Sequence, residues 1–136
     1  MKPAYLDNSA TTPVCREAVD KAYEMMTVCW GNPSSLHTAG FAAERELETA
    51  RSAVAGLLGA APDALTFTSG GTEANNLAVF GAAAAKVRSG KHIVTTAMEH
   101  PSVAVACDQL EREGWEVTRL APEASGCVPL SALEAA

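Results

Sequence analysis

Leu65-Thr-Phe-Thr-Ser-Gly-Gly-Thr-Glu-Ala-Asn-Asn-Leu77 is where a short alternating run stops at two glycines and an alanine-rich helical pattern begins. Thr66 to Thr68 alternate around Phe67 as a strand does, Gly70 and Gly71 permit a close backbone approach, and Thr72 opens the helix. A helix begun in this way presents unpaired N–H groups and the positive end of its dipole. Ser69 and Thr72 add hydroxyls, so a phosphate there would meet several donors. Gly-Gly-Thr by itself supports an ordinary capped strand-to-helix turn equally well.

The pattern on the C-terminal side is regular. A strand at Leu65 to Thr68 is followed by a helix from about Thr72 to Val87, a stop at Ser89-Gly90 and a second strand at His92-Ile-Val-Thr-Thr96. The loop Ala97-Met-Glu-His-Pro-Ser102 leads into an amphipathic helix with Val103, Ala106, Cys107 and Leu110 inward and Asp108, Glu111 and Arg112 outward. Gly114 closes it, and Trp115 to Leu120 alternate as a third strand. Such alternation predicts an α/β fold, with right-handed crossovers and a mostly parallel sheet flanked by helices.

In this topology the Gly70-Gly71-Thr72 and Glu99-His100-Pro101 loops both follow strands. Both therefore project from the carboxyl edge of the sheet, where open α/β folds bind ligands. His100 is expected to face whatever sits at Thr72, with an imidazole suited to stacking on a flat ring or relaying a proton near neutrality. A plain turn histidine before a proline is the alternative. His92, on the opposite edge, reads as structural.

On the N-terminal side, Tyr5-Leu-Asp-Asn-Ser-Ala-Thr-Thr-Pro13 reads as an ordered loop, with Pro13 near the first turn of a helix through Cys15 to Met26. Val19, Ala22, Tyr23 and Met26 share one face of that helix. Trp30-Gly-Asn-Pro-Ser-Ser35 is either a positioned loop or a connector with good capping residues. From Leu36 a long helix carries Leu36, Ala39, Ala43, Leu47, Ala50, Val54 and Leu57 on its inward stripe and ends at Gly59. His37, in its first turn, reads as structural or solvated.

The 136 residues suffice for one domain with a core. With 48% hydrophobic and only 5% aromatic residues, that core is expected to be alanine, valine and leucine. A net charge of −6 argues against nucleic acid or an anionic membrane as partner. No signal-peptide or membrane-spanning pattern is present, which leads us to expect a cytoplasmic protein. The four cysteines, Cys15, Cys29, Cys107 and Cys127, lack metal or disulfide spacing and read as reduced packing residues. Pro129 to Ala136 begin a helix with no finishing cap or polar tail, so a truncated chain is expected. A three-stranded sheet would then keep an unpaired apolar edge, and poor solubility would follow.

Four stretches carry a resemblance: Tyr5-Leu-Asp-Asn-Ser-Ala-Thr-Thr-Pro13, Gly31-Asn-Pro-Ser-Ser35, Thr68-Ser-Gly-Gly-Thr-Glu-Ala-Asn-Asn76 and Glu99-His-Pro-Ser102. In order and spacing the chain resembles the N-terminal portion of cysteine desulfurases, which are pyridoxal-phosphate enzymes of the class V aminotransferase group. The resemblance implies the N-terminal part of a fold-type I transferase. Residues 1–61 would then be arm and part of the small domain, and 62–136 the incomplete start of the large cofactor-binding domain.

The same resemblance implies that Gly71 and Thr72 hold the cofactor phosphate and that His100 stacks on its ring and acts in proton transfer. The Ser9-Ala-Thr-Thr12 loop and Asn32 would border the active site. The implied reaction converts L-cysteine to L-alanine and an enzyme persulfide, with pyridoxal phosphate as electron sink and a catalytic cysteine attacking the substrate sulfur. A sulfur acceptor or iron–sulfur scaffold protein would be the partner, and the complete chain a homodimer. None of Lys2, Lys21, Lys86 and Lys91 sits in the motif of the family's Schiff-base lysine, nor any cysteine in that of its nucleophile. The 136-residue piece is therefore expected to be inactive alone. A selenocysteine lyase or another class V enzyme, and a non-catalytic phosphate-ligand or partner-binding module, are the alternatives.

Overall fold

The computed structural model describes residues 3–136, in two compact units that divide between Thr66 and Phe67. The first unit contains α1 (Arg16–Thr27), α2 (Thr38–Leu57) and a single 3-10 turn at Pro62–Ala64. The face predicted to pack on α1 stays exposed at Val19, Tyr23 and Met26, and no residue of this helix is fully buried. Instead Lys21, Met25 and Cys29, spaced by four, share a depression with Ala43, Glu46, Leu47 and Ala50 of α2. An exposed ion pair from Lys21 Nζ to Glu46 Oε2, at 2.7 Å, lies on the same side of the helix.

His37 is the N-cap of α2, with its Nδ1 accepting from the Gly40 N–H at 3.3 Å, so its role is structural as expected but one residue outside the helix. Leu36, placed on the inward stripe by its spacing, precedes the cap and is fully exposed. Gly40, Ala43 and Ala55 are the buried residues of α2. Gly40 is required for steric reasons, because a Cβ there would collide with the carbonyl oxygens of Ser35 and Asn32. The loop before α2 thus lies directly on the helix backbone, and Asn32 Oδ1 tightens it by accepting from the Ser34 N–H at 2.9 Å.

The second unit contains α3 (Gly71–Lys86), β1 (His92–Thr96), α4 (Pro101–Arg112), β2 (Glu116–Leu120) and α5 (Leu130–Glu134). β1 and β2 pair in parallel with α4 as the crossover, in a register running from His92 opposite Glu116 to Thr96 opposite Leu120. The expected third strand is not formed. Leu65 to Thr68 pair with no neighbouring strand, since alternation favours an extended backbone but a strand also needs a ladder partner, and the sheet of the described residues has only two strands. His92 is structural, pairing through Nε2 with Thr118 Oγ1 at 2.8 Å across the two strands.

α4 packs on both α3 and β2. The residues buried there are Ala83, Ala106, Cys107 and Leu110, of which the last three were expected inward, together with Ser102, which was not. Arg119 of β2 reaches Asp108 at 2.7 Å and Glu111 at 2.9 Å on α4, and these two carboxylates hold its pKa above the ordinary value. Large apolar side chains remain open in both units, among them Leu6, Trp30, Leu57, Leu77 and Leu130. The four cysteines are free, and no metal-binding cluster occurs among the described residues. No described helix is long and apolar enough to cross a membrane.

Candidate functional site

Within the described chain the start of α3 places no steric demand for glycine at Gly70 or Gly71. Gly70 is the N-cap, with an extended backbone and no side-chain capping bond, and space is open at the Cβ positions of both Gly70 and Gly71. The first bond of the helix runs from the Ala74 N–H to the Gly70 carbonyl, which leaves the amides of Gly71, Thr72 and Glu73 without intrahelical partners. Gly71 and Thr72 are exposed, and the Thr72 hydroxyl has no hydrogen-bond partner among the described residues.

Ser69 does not contribute its hydroxyl to this opening. The Glu73 side chain turns back, and its Oε2 accepts from both the Ser69 N–H and the Ser69 hydroxyl at 2.6 Å. The hydroxyl first, and the amide second, hold the Glu73 carboxyl below its ordinary pKa. The carboxylate serves the residue before the helix and does not engage Gly71 or Thr72.

His100 lies at the corresponding point of α4. It is the N-cap, with Pro101 at the first helical position, and its Nδ1 accepts from the Ser102 N–H at 3.1 Å. The Ser102 hydroxyl lies 2.8 Å from the same nitrogen. Before it, the Thr96 hydroxyl donates to Glu99 at 2.8 Å and fixes the loop where β1 ends.

Two asparagines of α3 join these helix starts. Asn75 Nδ2 donates to Ser102 Oγ at 2.9 Å, while Asn76 Nδ2 donates to the Thr72 carbonyl at 2.8 Å and the Ser102 carbonyl at 3.3 Å. Gly71, Thr72 and His100 are thus held on adjoining helix N-termini within one unit. The predicted geometry did not include the parts that join them. Asn75, Asn76 and Ser102 are small polar residues without periodic signal, and only the helix-capping pattern His-Pro-Ser hinted at one of them.

Ser9 to Thr12 and Asn32 belong to the first unit. There Ala10 and Thr11 donate to the Asp7 carbonyl in a turn, and Asn32 serves its own loop. No lysine of the second unit stands at the site. Lys86 occupies the far end of α3, roughly 20 Å along the axis from Gly71. Lys91 precedes β1 while His100 follows it, a separation of about 17 Å of strand. In the first unit Lys21 is engaged by Glu46 and Glu24, which raise its pKa and keep it protonated, the opposite of what an amine nucleophile needs. Lys2 lies outside the described residues.

The family model for class-V aminotransferases matches residues 4–136. The chain belongs to the class-V aminotransferase family. The cysteine desulfurase IscS of Serratia proteamaculans is 49% identical over 137 residues, covering 98% of this chain and 34% of that protein. The solved structure of a NifS-like protein superposes with a TM-score of 0.89 at 32% identity, over 94% of this chain and 35% of the other. That of SspA in complex with cysteine gives a TM-score of 0.88 at 35% identity, over 97% of this chain and 38% of the other. The chain therefore spans about a third of the length of the relatives it matches. These likenesses agree with the predicted α/β fold with a parallel sheet and flanking helices, in which α4 lies against β2 and α3 against α4.

Proposed function

We propose that this chain is the N-terminal third of a cysteine desulfurase, which takes sulfur from L-cysteine, releases L-alanine and passes the sulfur on from an enzyme persulfide. The observation that carries this reading is the joining of the open α3 N-terminus to His100 through Asn76 and Ser102. It is supported by the names of the relatives and by the cysteine bound to SspA.

The donor set suits the phosphate of pyridoxal phosphate. In this reading the amides of Gly71 and Thr72 and the Thr72 hydroxyl bind it, aided by the positive end of α3. His100, exposed beside them, would cover one face of the ring and exchange a proton with the substrate, using the nitrogen that Ser102 does not engage. When bound, the cofactor supplies the electron sink for the bond changes at cysteine. The described lysines are remote from this site or ion-paired, so the chain alone is expected not to turn over.

Residues 1–61 would contribute arm and small domain, with Ser9 to Thr12 and Asn32 bordering the site, and 62–136 the start of the cofactor domain. The whole protein would be a cytoplasmic homodimer that hands sulfur to an acceptor or iron–sulfur scaffold protein. The exposed apolar side chains of both units suit a chain that buries more surface in its complete form. The negative net charge disfavours nucleic acid and anionic membranes.

The test is titration of the chain with pyridoxal phosphate, followed by absorbance and by borohydride treatment, with L-cysteine turnover assayed alongside. Saturable binding that weakens in Thr72→Val and His100→Ala, with no single lysine specifically fixed by borohydride and no alanine formed, is expected. Binding indifferent to both substitutions would overturn the site. Turnover with one lysine specifically fixed would overturn the inactivity of the chain alone.

A further inference from the structure

The Asn75–Ser102–His100 chain deepens the reading above and rests on it for its chemical meaning. The ring nitrogen Nδ1 of His100 lies 3.1 Å from the Ser102 amide nitrogen, and a backbone amide can only donate. Nδ1 must therefore present its lone pair, and in the neutral ring the proton belongs to Nε2. The Ser102 hydroxyl is 2.8 Å from the same Nδ1 and accepts from Asn75 Nδ2 at 2.9 Å, so its own proton is free to point at the ring. Ser102 is the one buried polar residue of the described chain, at 8% exposure, and its carbonyl is held in turn by Asn76. His100 itself is exposed, and its Nε2 has no protein partner among the described residues.

We propose that Ser102, through its amide and its hydroxyl, is the positioning residue that holds His100 as the Nε2–H tautomer, so that proton exchange with a bound ligand passes through Nε2 alone. A histidine's free nitrogen is defined by the bond its other nitrogen makes. Here that bond is also the cap of α4, so turning the ring would uncap the helix. Without Ser102 an exposed imidazole would sample both tautomers and several rotamers, and only a fraction of molecules would offer the right atom.

The test is long-range proton–nitrogen correlation NMR on the whole chain labelled with 15N-histidine, about two units above the ordinary histidine pKa. The His100 signals are assigned by their loss in His100→Gln. A predominantly Nε2-protonated ring is expected in the native chain; an averaged or Nδ1-protonated ring overturns the proposal before any variant is made. In Ser102→Ala the tautomer ratio should fall about three- to tenfold, the loss of one hydrogen bond, and Ser102→Thr should restore it. His37, also a cap but without a hydroxyl partner, should not change. A ratio unmoved in Ser102→Ala overturns the role of the hydroxyl. The measurement needs no cofactor, so a fixed tautomer in a chain that fails to bind pyridoxal phosphate sinks the proposed function and not this inference.

Discussion

The side-chain amide of Asn76 donates to the carbonyl oxygen of Ser102 at 3.3 Å while holding the Thr72 carbonyl at 2.8 Å. One nitrogen therefore couples the start of α3, whose first amides lack intrahelical partners, with the turn that carries His100. Asn76→Leu keeps the size and removes both donors. It should cost about 1 kcal/mol in denaturant unfolding and weaken pyridoxal-phosphate binding as well. Unchanged affinity in this variant would mean that the spacing of the two helix starts is held by other contacts.

Gly40 and Gly56 lie in the same helix and should respond in opposite directions to the same substitution. A Cβ at Gly40 runs into the carbonyls of Ser35 and Asn32, whereas at Gly56 it meets nothing within 4 Å. Gly40→Ala should lose about 2 to 3 kcal/mol as the loop is forced off α2. Gly56→Ala should gain up to about 1 kcal/mol from the reduced freedom of the unfolded chain. Thermal unfolding of the pair decides it, and shifts of the same sign would contradict the close approach of loop and helix.

Glu73 should make the start of α3 sensitive to acid. Its folded-state pKa is lowered by the Ser69 hydroxyl and amide, so the contribution is complete above the ordinary value of 4.5 and disappears as pH falls through the lowered one. The Ser69 amide resonance followed through an acid titration should report this change with a midpoint below 4.5, and Glu73→Gln should abolish it. A midpoint at or above the ordinary value would place the carboxylate away from Ser69.

The cysteines should separate by accessibility. Cys107 is 1% exposed and burial pushes its thiol pKa up, partly offset by the Thr95 hydroxyl, while Cys15 and Cys127 are exposed. Alkylation of the native chain followed by mass spectrometry should label Cys15 and Cys127 first, Cys29 more slowly and Cys107 only on unfolding. Early labelling of Cys107 would indicate that α4 leaves the sheet readily.

The elements most legible in the sequence are those whose pattern is set locally. β1 begins and ends at the predicted residues, and α3 differs from its predicted span by one residue at each end. The stretch from Leu65 to Thr68 was not legible, because two threonines around Phe67 specify an extended chain but not the neighbour that makes it a strand. The orientation of α1 was hidden for a related reason. Its apolar stripe through Tyr23 competes with a mixed stripe through Lys21 and Met25, and it is the second that shares a depression with α2. The helix starts at Gly71 and after His100 were legible from their glycine and proline signals, although no strand precedes the first of them, whereas Asn75 and Ser102 acquire partners only once α3 lies against α4.

The clasp between Ser69 and Glu73 also bears on how quickly an anion would be taken up. Because the carboxylate already steadies the residue before α3, the first turn is formed in advance and the arriving ligand has no segment to order. Association with this helix end should then follow diffusional encounter, rising in proportion to ligand concentration without a slow phase independent of it. Loosening the clasp would convert the same site into one that waits for its own backbone.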